Sequence, residues 1–156
     1  MKYTQKILLI LLTGIFSLSS IETAYSNKLA VTIAVIVNTQ NSVTTLTAGE
    51  VKLYFLRKIK TRWPDNNKAI RPADRKTNCP EQQCFYAKIL MMTAADVETY
   101  FVTKQYQNAL KPQDKFNTDA ELIEFVAAEP GAIGFISATS LGGAAGKVKS
   151  VLQVAN

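Results

Sequence analysis

Arg75, Lys76, Thr77 and Asn78 stand together just ahead of a segment that reads as a helix from about Glu81. A helix start presents unpaired backbone N–H groups and a partial positive charge. Two cations and two short polar side chains placed before it suit an oxyanion, with Arg75 as the forked donor. Thr77 and Asn78 have an ordinary alternative, which is to cap that helix. A second set of donors, Asn38, Ser42, Thr44 and Thr45, lies in the polar loop after the first predicted strand. Open α/β sheets hold their ligands at the carboxyl ends of strands, so the two sets are expected to face one another.

These residues belong to a wider electrostatic field. Lys52 to Lys76 holds nine bases and two acids, a formal +7, whereas the whole 156-residue chain carries +6. Positive charge confined to one segment points to an anionic ligand or surface. A merely solvated basic face is the alternative. Tyr54, Phe55 and Trp63 interleave with the bases in a way that suits stacking on nucleic-acid bases. Helical phase turns Phe55 and Tyr54 toward a core instead, and no nucleic-acid partner is expected for an exported chain.

Other chemistries lack their residues. Histidine is absent, which excludes Ser-His-Asp and Cys-His catalysis in their usual form. Asp119, Glu121 and Glu124 open a predicted helix, where carboxylates answer the helix dipole and solvent. Gly142 to Lys147 resembles a phosphate loop only superficially. Leu141 stands where that motif needs glycine, and Val148 where it needs serine or threonine. Cys79 and Cys84 cannot make a metal site without histidine or a third cysteine, and they lack the C-x-x-C redox spacing. A structural disulfide is expected, contributing on the order of 2 kcal/mol. No catalytic residue, metal or cofactor is expected.

The elements that must position these groups follow from periodicity. Lys2 and Lys6 precede an apolar run that ends in Ala24-Tyr25-Ser26, the order of a secretory signal cleaved after residue 26. Residues 27–156 then form one domain, long enough to bury a core, exported to a setting where thiols tend to be oxidised. Leu29 to Val37 is continuously apolar and β-branched, which predicts a strand buried on both faces. Thr47 with Glu50 reads as a capping box, and Val51, Tyr54 and Phe55 mark one buried helical face. Trp63 to Asn67 is a turn, and Ala69 to Pro72 a short extended piece near a sheet edge or strand end. Helices are predicted from about Glu81 to Met92, from Thr93 with Asp96, and from Thr118 with Glu121, with a loop from Gln105 to Phe116. Ala132 to Ile136 and Val148 to Val154 complete the strands. The order predicts α/β, with a mixed sheet of about four strands flanked by about four helices.

At these residues the chain resembles the phosphate-binding proteins of ABC importers, a type 2 periplasmic binding protein fold, and in particular its short single-lobe members. The likeness is carried by Leu46, Glu50, Val51, Phe55, Leu56 and Lys58, then Trp63, then Ile70, Pro72, Asp74 and Arg75, then Phe85, and finally Pro130-Gly131-Ala132-Ile133-Gly134-Phe135. The resemblance implies a non-enzymatic, periplasmic binder of phosphate or a related small oxyanion, working with a membrane permease or sensor. It places Arg75 at the family's anion-binding arginine. Thr77-Asn78-Cys79-Pro80-Glu81 replaces the family's Ser-Gly-Thr helix start, and Ser42, Thr44 and Thr45 are approximate counterparts of its first polar loop. The alternative is an interaction or sensory module of the same fold, its ligand site decayed, docking through the basic stretch to a receptor or an anionic surface.

Overall fold

The computed structural model of the chain describes residues 30–58, 62–108 and 113–156. The leader expected at 1–26 and the centre of the basic loop expected at 57–62 lie outside them. In chain order the strands are β1 Thr32–Asn38, β2 Arg71–Arg75, β3 Asp114–Phe116, β4 Ala132–Ser137 and β5 Val148–Ala155. The helices are α1 Ala48–Phe55, α2 Pro80–Phe85, α3 Ala94–Asn108 and α4 Asp119–Ala128. A π-turn, Tyr86–Leu90, continues α2, and a 3-10 segment, Ala138–Ala144, leads from β4 toward β5.

The strands form one mixed sheet in the order β3-β2-β4-β1-β5. β1 runs antiparallel to both β4 and β5, while β2 runs parallel to β4 and to β3. Six of the seven β1 residues are buried, as continuous apolarity predicts for a strand covered on both faces. Alternation divides the core into two layers. Ile33, Val35, Val37, Ile133 and Phe135 face α1, α2 and the π-turn through Val51, Phe55, Trp63, Phe85 and Ile89. Ala34, Ile36, Ala132 and Ile136 face α4 through Leu122, Ile123 and Val126. The Phe85 and Phe135 rings stack at 4.1 Å and 7° at the centre of the first layer.

Local signals in the sequence build most of this frame. Thr47 accepts from the Glu50 N–H, and the Glu50 carboxylate accepts from the Thr47 N–H, a complete capping box. Thr93 and Asp96 close a second at α3. At α4 Thr118 accepts from the Glu121 N–H, but the Glu121 carboxylate takes the N–H of Asn117, one residue earlier than a box requires. Thr47→Ala is expected to cost about 1 kcal/mol, read as a lower urea midpoint at unchanged slope.

Four predicted features differ. β3 adds a fifth strand where a loop was expected; its three residues, Asp-Lys-Phe, carry no apolar alternation to announce it. α3 runs through Gln105 to Asn108, past the expected stop. The helix expected to Met92 widens instead, passing from α2 into the π-turn and ending at Met91 in the left-handed region, φ 55°. β2 extends to Arg75, three residues past the Pro72 at which the extended piece is expected to end. Pro72 is tolerated within it because β3 begins to pair only at Ala73.

Candidate functional site at the carboxyl end of β2

Arg75 ends β2 as a buried cation, its side chain only 6% exposed. Its Nη2 pairs with the Oδ1 of Asp119, the first residue of α4. The other oxygen of that carboxylate accepts from the Ser137 N–H at 3.1 Å and from the Ser140 hydroxyl at 2.5 Å. Three elements that end at this edge of the sheet therefore converge on one carboxylate: β2, β4 and the 3-10 segment. Arg75 Nε and Nη1 are buried and have no hydrogen-bond partner among the described residues. Beside the pair lies an open hollow of about 500 Å³ lined by Thr118, Asp119, Ala120, Ser140, Gly143 and Lys147, among others. Lys147 pairs with Glu124 at its rim, at 2.5 Å.

A second buried network holds the base of the site. Asp74, 2% exposed, accepts from the Arg75 N–H at 2.7 Å, from Tyr86 Oη at 2.6 Å and from Gln82 Nε2 at 3.2 Å. Gln82 Nε2 also donates to the Arg75 carbonyl at 2.9 Å. Burial, reinforced by the Asp74 carboxylate, pushes the Tyr86 phenol well above its ordinary range, so it stays a donor. α2 is thereby tied to the end of β2, which fixes the backbone from which the guanidinium extends.

The residues singled out from the sequence divide into two groups that the structure keeps apart. Pro72 is level with Ile133, and Ile133 with Val37. Arg75 lies three residues further along β2, whereas Asn38 lies one residue beyond Val37 in the opposite direction. The separation is about 13 Å along the strands alone. The expectation that the Asn38–Thr45 loop faces Arg75 is therefore corrected: because β1 is antiparallel to β2, its carboxyl end is the other end of the sheet. Asn38 is buried there and donates to the carbonyls of Val126 and Ala127, closing the last turn of α4. Ser42 gives its N–H to Asp65 at 2.8 Å, and its hydroxyl and N–H hold that carboxyl below its usual range. Thr44 is exposed.

Thr77 and Asn78 are on the Arg75 side. Both are exposed, and the Asn78 carbonyl oxygen accepts from Gln83 Nε2 at 3.1 Å. The N-cap of α2 is Cys79, whose side chain makes no capping bond. The disulfide expected between Cys79 and Cys84 is absent; both are free thiols. Cys84 sits five positions along the same helix, so the two side chains leave it in directions about 140° apart. Cys84 is buried with its Sγ toward the Val31 carbonyl, and Cys79 is partly exposed, its thiol pushed up by burial. Excess reductant is expected to leave the thermal midpoint unchanged to within about 1 °C; loss of a bridge worth 2 kcal/mol would move it by several degrees.

Asp119, Ser137 and Ser140 were not singled out as ligands. Asp119 reads in the sequence as one of three acids answering a helix dipole, and nothing local reveals which of them turns inward.

A mixed sheet with α1, α2 and the π-turn on one face and α4 on the other, its buried arginine at a carboxyl edge, is the fold of a periplasmic-binding-protein-like lobe. Solved structures that share it include proteins described as phosphate ABC transporter substrate-binding proteins. A protein of that description from Clostridium perfringens, solved with bound phosphate, matches at TM-score 0.60 and 21% identity over 78% of this chain and 44% of its own. An ABC-type phosphate transport receptor of Vibrio cholerae matches at 0.57 and 20%, over 78% and 46%. The PstS protein of Borrelia burgdorferi matches at 0.57 and 15%, over 78% and 47%. The chain spans less than half the length of these proteins, and at such identities the likeness is one of fold. No protein-family model and no curated protein matches the sequence significantly. Among the described residues no helix is long and apolar enough to cross a membrane.

Proposed function

We propose that this chain is an exported, non-enzymatic solute-binding module, delivered to the periplasm behind a leader at 1–26, that binds phosphate or a related small oxyanion at the carboxyl end of β2. The observation that carries the reading is the buried Arg75 guanidinium with two unbonded nitrogens, set among the Ser137 N–H and the Ser140 hydroxyl at one sheet edge. Buried polar groups of a folded protein are nearly all hydrogen-bonded, so unbonded buried donors on a cation suit an oxyanion as acceptor. Lys76, Thr77 and Asn78 follow Arg75 directly in the chain and are exposed. The fold shared with phosphate transport receptors supports the ligand class, and a membrane permease or sensor is the fitting protein partner. Asn38, Ser42 and Thr44 are spent at the other end of the sheet and take no part.

Titration calorimetry of the chain with phosphate, sulfate and small carboxylates tests this. Saturable heat is expected with at least one of them. Arg75→Lys, which keeps the charge but loses the fork, is expected to weaken binding about tenfold or more. Absence of heat with every anion would overturn the reading.

The second reading, an interaction module docking through its basic stretch, has its own support. Lys58, Arg62, Lys68 and Lys76 are exposed, while Arg75 already has a carboxylate partner. Salt-sensitive retention on an acidic receptor or an anionic surface, indifferent to phosphate, is its signature.

A further inference from the structure

Asp119 contributes to this edge in an unusual way. Its carboxylate collects a guanidinium, a main-chain N–H and a hydroxyl, all from other elements. That is the donor set by which proteins hold a free oxyanion. The side chain itself springs from the first turn of α4, a ten-residue helix capped by Thr118, where negative charge is favoured. Asp119 nonetheless reaches only one of the three guanidinium nitrogens, and the remaining two are buried without a partner among the described residues.

We propose that Asp119 is a resident ligand: its carboxylate occupies the place of a free tetrahedral oxyanion and must swing out before one binds. This rests on the oxyanion reading above and names how that site is regulated. A carboxylate and one edge of phosphate or sulfate present two oxygens in similar geometry, so the same three donors serve either. The tetrahedral anion brings further oxygens, which the unbonded nitrogens of Arg75 can receive. Asp119 already takes Nη2, the Ser137 N–H and the Ser140 hydroxyl, so an anion that uses those same donors displaces it. The hollow that Asp119 lines beside Ser140, Gly143 and Lys147 gives the displaced carboxylate a place to go. The apparent Kd is then the intrinsic Kd divided by the fraction of time the site is vacant, so affinity falls in proportion to that fraction.

The experiment is calorimetric titration of wild type, Asp119→Ala and Asp119→Asn with inorganic phosphate and, separately, sulfate at fixed ionic strength. Asp119→Ala is expected to bind at least tenfold more tightly than wild type, and Arg75→Lys in that background to abolish the gain. Measurable wild-type binding with equal or weaker binding by both variants would overturn the resident-ligand proposal and leave the oxyanion reading standing. Binding by the variants alone would support the proposal and overturn wild-type oxyanion binding. Silence from all three proteins would overturn both. Should the variants not stay folded, recovery on refolding in phosphate against chloride at equal ionic strength reads the same competition: recovery specific to phosphate or sulfate supports it, and equal recovery overturns it.

Discussion

Arg75→Met is expected to lower the unfolding free energy by about 3 kcal/mol, and Asp119→Leu in the same chain to restore part of that loss. The guanidinium is almost wholly buried and the Asp119 side chain is 17% exposed. Removing one partner strands the other charge in a medium that solvates it poorly, whereas replacing both with apolar groups removes the conflict. The single change therefore costs more than the pair itself is worth. A double-mutant cycle in urea gives the coupling directly, with about 1–3 kcal/mol expected for groups in contact. A single-variant loss below about 1 kcal/mol with no coupling would mean that the pair is solvated and weak.

Gly131→Ala is expected to be as damaging for a different reason. A Cβ at this position would lie 2.0 Å from the Ala69 carbonyl oxygen and 3.1 Å from its carbon. Both are backbone atoms, so the chain itself must shift. Gly131 also supplies the carbonyl that accepts from the Arg71 N–H and from the Trp63 indole, each at 3.0 Å. Displacement thus loosens the entry to β2 and the anchor of a fully buried tryptophan together. A loss of about 3 kcal/mol is expected, seen as a fall of about 10 °C in Tm. Gly142→Ala and Gly143→Ala are the controls, since nothing lies within 4 Å of either added methyl group. If all three variants melt alike, the close approach at Gly131 is not what holds that corner.

The legible part of the sequence was the part whose signals are local. Thr47, Thr93 and Thr118 announce their helices because a cap and its partner lie three residues apart. The β1 and β4 runs announce themselves because both faces are buried. What stayed hidden depends on strand direction and on long-range pairing. Arg75 reads from its type as a candidate anion donor, but the neighbours expected for it follow only if β1 and β2 are parallel. A single antiparallel pairing, Val37 with Ile133, sends Asn38 to the far end. Asp119 lies 44 residues from Arg75 and is one acid among several at a helix start. β3 escaped because three residues with one aromatic carry no period. The thiols of Cys79 and Cys84 misled because the expectation used their compartment and spacing and not the rotation between successive helix positions.

The pairing of β1 also governs the order in which the molecule can assemble. Its two neighbours, β4 and β5, are the last strands of the chain, contributed by residues 132–155. An emerging polypeptide therefore carries β1 uncovered from Asn38 until its first partner strand opens at Ala132. Closing so long a loop is slow, because entropy is lost before contacts repay it. The sheet cannot close around β1 until β4 and β5 have been made, and until then β1 is an uncovered apolar strand that a holding chaperone can grip.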